Sequence, residues 1–203
     1  MEFLHAVIVL SNFVIIPAIT YGSQLALGAL GVTLVYGILR FSNFAHGDTM
    51  AFGTMVAILF TWWFQSIGVS IAPLPTALLA LPIAIVLTAL LLLGTDRVVL
   101  RFYRKQKSAP VILLIVSLGI MFVYNGLVRF IIGVGDQRFS DGSRFIISAR
   151  DFKKLTGLDE GLAIKTTQVI TVITAVIVVA LLFWFLNRTV SYTHLRAHET
   201  LNH

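Results

Sequence analysis

Apolar stretches long enough to cross a lipid bilayer recur along this chain, and they decide the fold class before any single residue is considered. An α-helix rises about 1.5 Å per residue, so about 20 apolar residues cross the roughly 30 Å hydrocarbon layer. Residues about 20–39, 49–67, 74–94, 109–132 and 166–186 each meet that length with almost no charge. The expectation is an all-α, polytopic integral membrane protein with about five transmembrane helices. Composition agrees: 58% of the 203 residues are hydrophobic and 12% charged, against about 25% charged in soluble domains. The mean hydropathy is +0.93, and a water-soluble fold of this size could not spare so much polar surface.

Before the first span, "FLHAVIVLSNFVIIPA" is apolar but interrupted by His5, Ser11, Asn12 and Pro17. This favours a short amino-terminal interfacial helix over an upward extension of that span. No Lys or Arg precedes it, which argues against a cleaved signal peptide. Pro82 falls inside the third span, and Trp62 and Trp63 lie near the end of the second, where indoles favour the interface.

The formal charge of +6 is carried in the connections, where it sets topology rather than binding nucleic acid. The connection between spans three and four holds Arg97, Arg101, Arg104, Lys105 and Lys107 against Asp96 alone, so it is expected on the cytoplasmic side. Alternation then places "FSNFAHGD" (41–48) on that side too, the amino terminus outside, and the long hydrophilic loop about 133–165 outside, where a partner could dock. Cysteine is absent, which excludes thiolate sites and disulfides.

Two local patterns carry a functional signal. Gly22, Ala26, Ala29, Thr33 and Gly37 form one face of small residues on the first span, suited to close helix packing in lipid, with Gln24 and Tyr36 as candidates for a translocation path. Ser42, Asn43, His46 and Asp48 crowd the junction between the first two spans. Asp48 is expected to cap the following helix, Gly47 to permit the turn, and Ser42 or Asn43 to satisfy the carbonyls ending the preceding helix. The alternative is a direct substrate or gating role for Asn43, Phe44, His46, Gly47 and Asp48.

"GSQLALGALGVTLVYGILRFSNFAHGDTMAFG", residues 22–53, closely resembles the signature region of branched-chain amino acid ABC importer permeases. The matching residues are Val35, Tyr36, Gly37, Asn43, Phe44, Ala45, His46, Gly47, Asp48, Met50 and Gly53; the family more often has Glu where Asp48 stands. "DRVVLRFYRKQ" (96–106) and "SLGIMFVYNG" (117–126), which ends with Asn125 and Gly126, extend the resemblance, and Asn125 joins the candidates for the substrate path or gate.

The resemblance implies a permease subunit moving branched-chain or related amino acids across the bacterial cytoplasmic (inner) membrane. Its implied partners are a second permease subunit, two cytoplasmic ATPase subunits, an external solute-binding protein and the bilayer. No Walker A pattern or Gly-rich phosphate loop is present, so the chain is expected not to be an enzyme and to bind no cofactor or metal; ATP and Mg would be used by the ATPases. A stand-alone secondary transporter or channel is the alternative, disfavoured because, apart from Arg129 near the end of the fourth span, no span interior holds an Asp, Glu or Lys. A membrane-embedded enzyme built on His46 and Asp48 ranks below both.

Residues 1–189 are read as a truncated transmembrane permease domain. The polar, His-rich 190–203 segment, with His194, His198 and His203, reads as a non-native tail rather than a metal site.

Overall fold

The computed structural model describes residues 2–69, 74–137, 145–158 and 160–188. The whole 190–203 tail, and residues 138–144 and 159 of the long loop, lie outside these residues. Of the described residues, 81% are helical. Its helices are α1 (Glu2–Leu10), α2 (Ile16–Leu39), α3 (His46–Ser66), α4 (Ala77–Thr95), α5 (Arg101–Lys105), α6 (Pro110–Ile132), α7 (Ala149–Thr156) and α8 (Thr166–Arg188). Two short strands, β1 (Phe145–Ile147) and β2 (Ile164–Lys165), pair antiparallel. The chain divides into two compact units, residues 1–27 with 144–203 and residues 28–143.

Among the described residues, four continuous helical stretches are long and apolar enough to cross a membrane: Glu2–Ile38, Ala77–Lys105, Pro110–Ile132 and Thr166–Arg188. The expected second span corresponds to α3. Its 21 residues suffice in length, but His46, Gly47 and Asp48 at one end and Gln65 and Ser66 at the other dilute its hydropathy. In the four spans at most 22% of the most apolar window is buried inside the chain. Side chains such as Phe130 and Phe122, 88% and 70% exposed, need lipid around them, since soluble monomers rarely present contiguous apolar surface of this extent.

Two expectations are corrected. The amino-terminal stretch does not stand as a separate interfacial helix; α1 continues into α2 through a π turn, Ser11–Ile15. In that turn the Ile16 N–H donates to the Ser11 carbonyl, five residues back. The wider turn comes just before Pro17, which has no N–H to donate and would clash with the fourth carbonyl behind it in a regular α-helix. The basic connection after the third span is likewise helical through Lys105, by way of a second π turn, Asp96–Leu100. Arg and Lys are good helix formers, and Arg104 pairs with Asp96 at 2.6 Å on this helix.

In the unit of residues 28–143, α3 packs against α4 and α6. One core cluster joins Phe41, Ala45, Leu100, Leu113, Ile120 and Tyr124; another joins Met55, Val56 and Ala84. Close approach of α3 and α4 depends on Gly53, where an added Cβ would sit 3.0 Å from Thr88 Oγ1. Gly53→Ala is therefore expected to cost about 1–3 kcal/mol through overpacking. Gly119→Ala and Gly126→Ala, with nothing within 4 Å of the new Cβ, should be neutral or stabilise by up to about 1 kcal/mol through helix propensity. Unfolding midpoints of the three variants in detergent check this ordering.

In the other unit, Asn12 on the first π turn holds the segment that leads into α8. Its Nδ2 donates to the Gly161 carbonyl at 2.7 Å and its Oδ1 accepts from the Ala163 N–H at 3.0 Å.

Candidate functional site

The junction between α2 and α3 is built by a left-handed residue, an Asn turn and two buried anchors. Arg40 takes φ 57° and donates its N–H to the Tyr36 carbonyl at 2.8 Å, which ends α2 in the manner usual for Gly. A side chain there costs roughly 1–2 kcal/mol, and the cation lies at the negative end of the helix dipole. Phe41 and Ala45, 3% and 2% exposed, then bind the junction into the core beside Leu113 and Ile120. Between them Asn43 Oδ1 accepts from the Ala45 N–H at 3.1 Å, and its carbonyl accepts from the His46 N–H at 3.3 Å. Asn43 thus shapes the start of α3, rather than satisfying the carbonyls that end α2.

Asp48 departs from expectation as well. The residue at the cap position is Ala45, with no side-chain cap bond. Asp48 is in the first turn, and its Oδ1 accepts from Asn125 Nδ2 at 2.9 Å. Two residues read separately from the sequence, 77 positions apart, are one polar bridge between α3 and α6.

A pocket of about 300 Å³ opens at this junction, lined by Val32, Val35, Tyr36, Ser42, Asn43, Phe44, His46 and Gly47. That volume is at the lower end of small-molecule sites, about 300–1,000 Å³. Of the residues selected from sequence, Tyr36, Asn43, Phe44, His46 and Gly47 meet here. Asp48 and Asn125 meet each other outside the lining, and Gln24 is exposed and does not line it. The walls combine the aliphatic Val32 and Val35 and two aromatic rings with an amide, a hydroxyl and an imidazole. That mixture suits an amphiphilic small solute.

Two supports escaped the sequence reading. Gly31 is one: a Cβ there would fall 2.7 Å from His46 Nε2 and 2.9 Å from Cε1, so the bare backbone is what gives the imidazole its place. Ser117 is the other. It is 0% exposed, donates to the Leu114 carbonyl at 2.7 Å and accepts from the Phe44 N–H at 3.2 Å, fixing the junction to α6. A glycine three residues after Gly28 was the available signal for the first; Ser117 opens the 117–126 segment that extends the resemblance, but nothing in that segment points to a contact with Phe44.

The small-residue face is left open by the described residues. Gly22, Ala26, Ala29, Thr33 and Gly37 are all exposed, and nothing lies within 4 Å of a Cβ built on Gly22 or Gly37. The glycines of α2 that meet α3 are Gly28, against Met50, and Gly31, against His46.

Residues 14–198 match the family described as branched-chain amino acid transport system, permease component. The chain belongs to that family. BraD of Pseudomonas aeruginosa, a high-affinity branched-chain amino acid transport system permease protein, is 33% identical over 87 residues, 43% of this chain and 28% of that protein. The LivH proteins of Salmonella typhimurium and Escherichia coli K12, which carry the same description, are each 39% identical over 51 residues, 25% of this chain and 17% of theirs. The chain therefore matches under a third of these permeases' own length. No solved structure matches. Membership of this permease family and the four apolar helices among the described residues make the chain a multi-pass membrane protein.

Proposed function

We propose that the chain forms part of a permease subunit of an ATP-driven importer for branched-chain or related amino acids in a bacterial cytoplasmic membrane. The observation that carries this reading is the pocket at the α2–α3 junction. Val32, Val35 and Phe44 offer apolar surface for an aliphatic side chain, and Asn43, Tyr36 and His46 offer hydrogen bonds for charged amino and carboxylate groups. A second permease subunit would complete the path, an external solute-binding protein would deliver the solute, and two cytoplasmic ATPases would use ATP and Mg. Nucleotide would act through its different affinity for two states of the permease pair. In this chain, the junction held by Phe41, Ala45 and Ser117 is the element such a change would move against α6.

The test is leucine uptake into proteoliposomes holding the chain with those partners. The expectation is saturable, ATP-dependent uptake, and for Asn43→Ala a rise in KM of about tenfold, or ~1.4 kcal/mol, with the protein still folded. Leucine flux that proceeds equally without ATP would instead make the chain a channel or secondary carrier. Uptake that Asn43→Ala leaves unchanged would remove the pocket from the solute path.

A further inference from the structure

The hydrophilic connection ahead of α8 contains a short amphipathic helix whose place is fixed relative to the end of a spanning helix. Ser148 caps α7, accepting from the Asp151 N–H at 3.2 Å and donating to the Asp151 carboxylate at 3.0 Å. Gly157, with φ 68°, closes its far end. Over its eight residues, successive positions turn by about 100°. Ala149, Phe152 and Leu155 therefore share one side, and Arg150, Lys153 and Lys154 occupy the opposite arc. Leu155 is 87% exposed, and none of the three cations is ion-paired among the described residues. The one carboxylate on the helix is engaged with its own cap.

Distance along the chain decides what this face can meet. β1 directly precedes the Ser148 cap, and its Phe145 is paired with Lys165, the residue before α8 begins. α8 is 23 residues long, about 34 Å at 1.5 Å per residue, enough to span the hydrocarbon, so its first turn marks one membrane surface. Gly161 abuts the backbone of Ala149 and is held by Asn12. α7 is thus tied at its amino end to the level where α8 meets the headgroups.

We infer that α7 is a bilayer-surface anchor: Leu155 and Phe152 enter the boundary between headgroups and acyl chains, and Arg150, Lys153 and Lys154 contact anionic phospholipid headgroups. An exposed leucine with a half-buried phenylalanine on its side, beside unpaired cations at this depth, fits the pattern of interfacial helices, whose binding combines buried apolar area with attraction to anionic lipid. The inference rests on α8 spanning the membrane and not on which solute is carried.

The chain has no cysteine, so single labels can be placed without background. Leu155→Cys, Lys154→Cys and, as a lipid-exposed reference on α8, Phe183→Cys are labelled with an environment-sensitive fluorophore. The full chain is then reconstituted into vesicles of phosphatidylcholine with or without phosphatidylglycerol, each containing brominated lipid. The label at 155 should be quenched by brominated lipid and emit at shorter wavelength, and the label at 154 should be quenched by aqueous iodide. Reversing Arg150, Lys153 and Lys154 to Glu should reduce lipid quenching at 155 in the anionic vesicles, with quenching at 183 unchanged. Equal iodide access at 154 and 155, with no lipid quenching at 155, would overturn the inference and leave the face to a protein partner. Quenching at 155 that ignores both phosphatidylglycerol and charge reversal would overturn the headgroup role of the cations.

Discussion

Asn125→Leu is expected to destabilise the chain by about 2–3 kcal/mol, read as a lowered unfolding midpoint in mixed micelles, because it removes the donor to a part-buried carboxylate without supplying another. The bond concerned, Asn125 Nδ2 to Asp48 Oδ1 at 2.9 Å, joins α3 to α6, and the leucine leaves the charge behind. Asp48→Asn keeps a carbonyl oxygen in the same place and should cost less than about 1 kcal/mol, the net worth of a neutral hydrogen bond. A double-mutant cycle of Asp48→Ala and Asn125→Ala isolates the pair, since each single change removes the same contact. Single effects that simply add would mean the two side chains act independently.

Gly31→Val is the second large effect. A Cβ at this position already meets His46 Nε2 at 2.7 Å, so the branched side chain forces the imidazole out of its place or pushes α2 away from α3. Overpacking of this kind costs roughly 1–3 kcal/mol. The two outcomes separate in a second variant. If the imidazole is the obstacle, His46→Ala in the Gly31→Val background should recover the unfolding midpoint; if the helices themselves separate, it should not. Gly37→Val, four residues after Thr33 on the open small-residue face, has no neighbour to meet and serves as the control for β-branching alone.

The long apolar runs were legible because they are local: about 20 apolar residues have few ways to avoid water except lipid. α6 and α8 lie close to where those runs place them. The start of α3 was misread because a polar residue before an apolar run looks like a cap, and Asp48 instead finds its partner 77 residues later. No periodicity encodes such a pairing. The π turns at Ser11–Ile15 and Asp96–Leu100 also leave no pattern, since a single widened turn shifts register without changing residue types. α7 was legible but went unread: Ser148, Asp151 three positions on, and Gly157 after the last turn are start and stop signals. They sit in a segment whose polarity otherwise reads as a loop. For the pocket, sequence selected Tyr36, Asn43, Phe44, His46 and Gly47, whose chemistry stands out, and passed over Gly31, whose part is to be absent.

The two π turns bear on how the length of this chain can vary. Deleting one residue from a regular membrane helix rotates everything beyond it by about 100° and turns lipid-facing side chains inward. A π turn holds one residue more than the α-helical path requires, so, whereas closing Ser11–Ile15 would set Pro17 against the fourth carbonyl behind it, a deletion within Asp96–Leu100 can be absorbed by closing that turn to ordinary α geometry. The hydrogen-bond ladder stays unbroken on both sides. Asp96–Leu100 is therefore where a long helix can lose a residue and still remain a single rod, with the parts before and after the turn keeping their orientation about the axis.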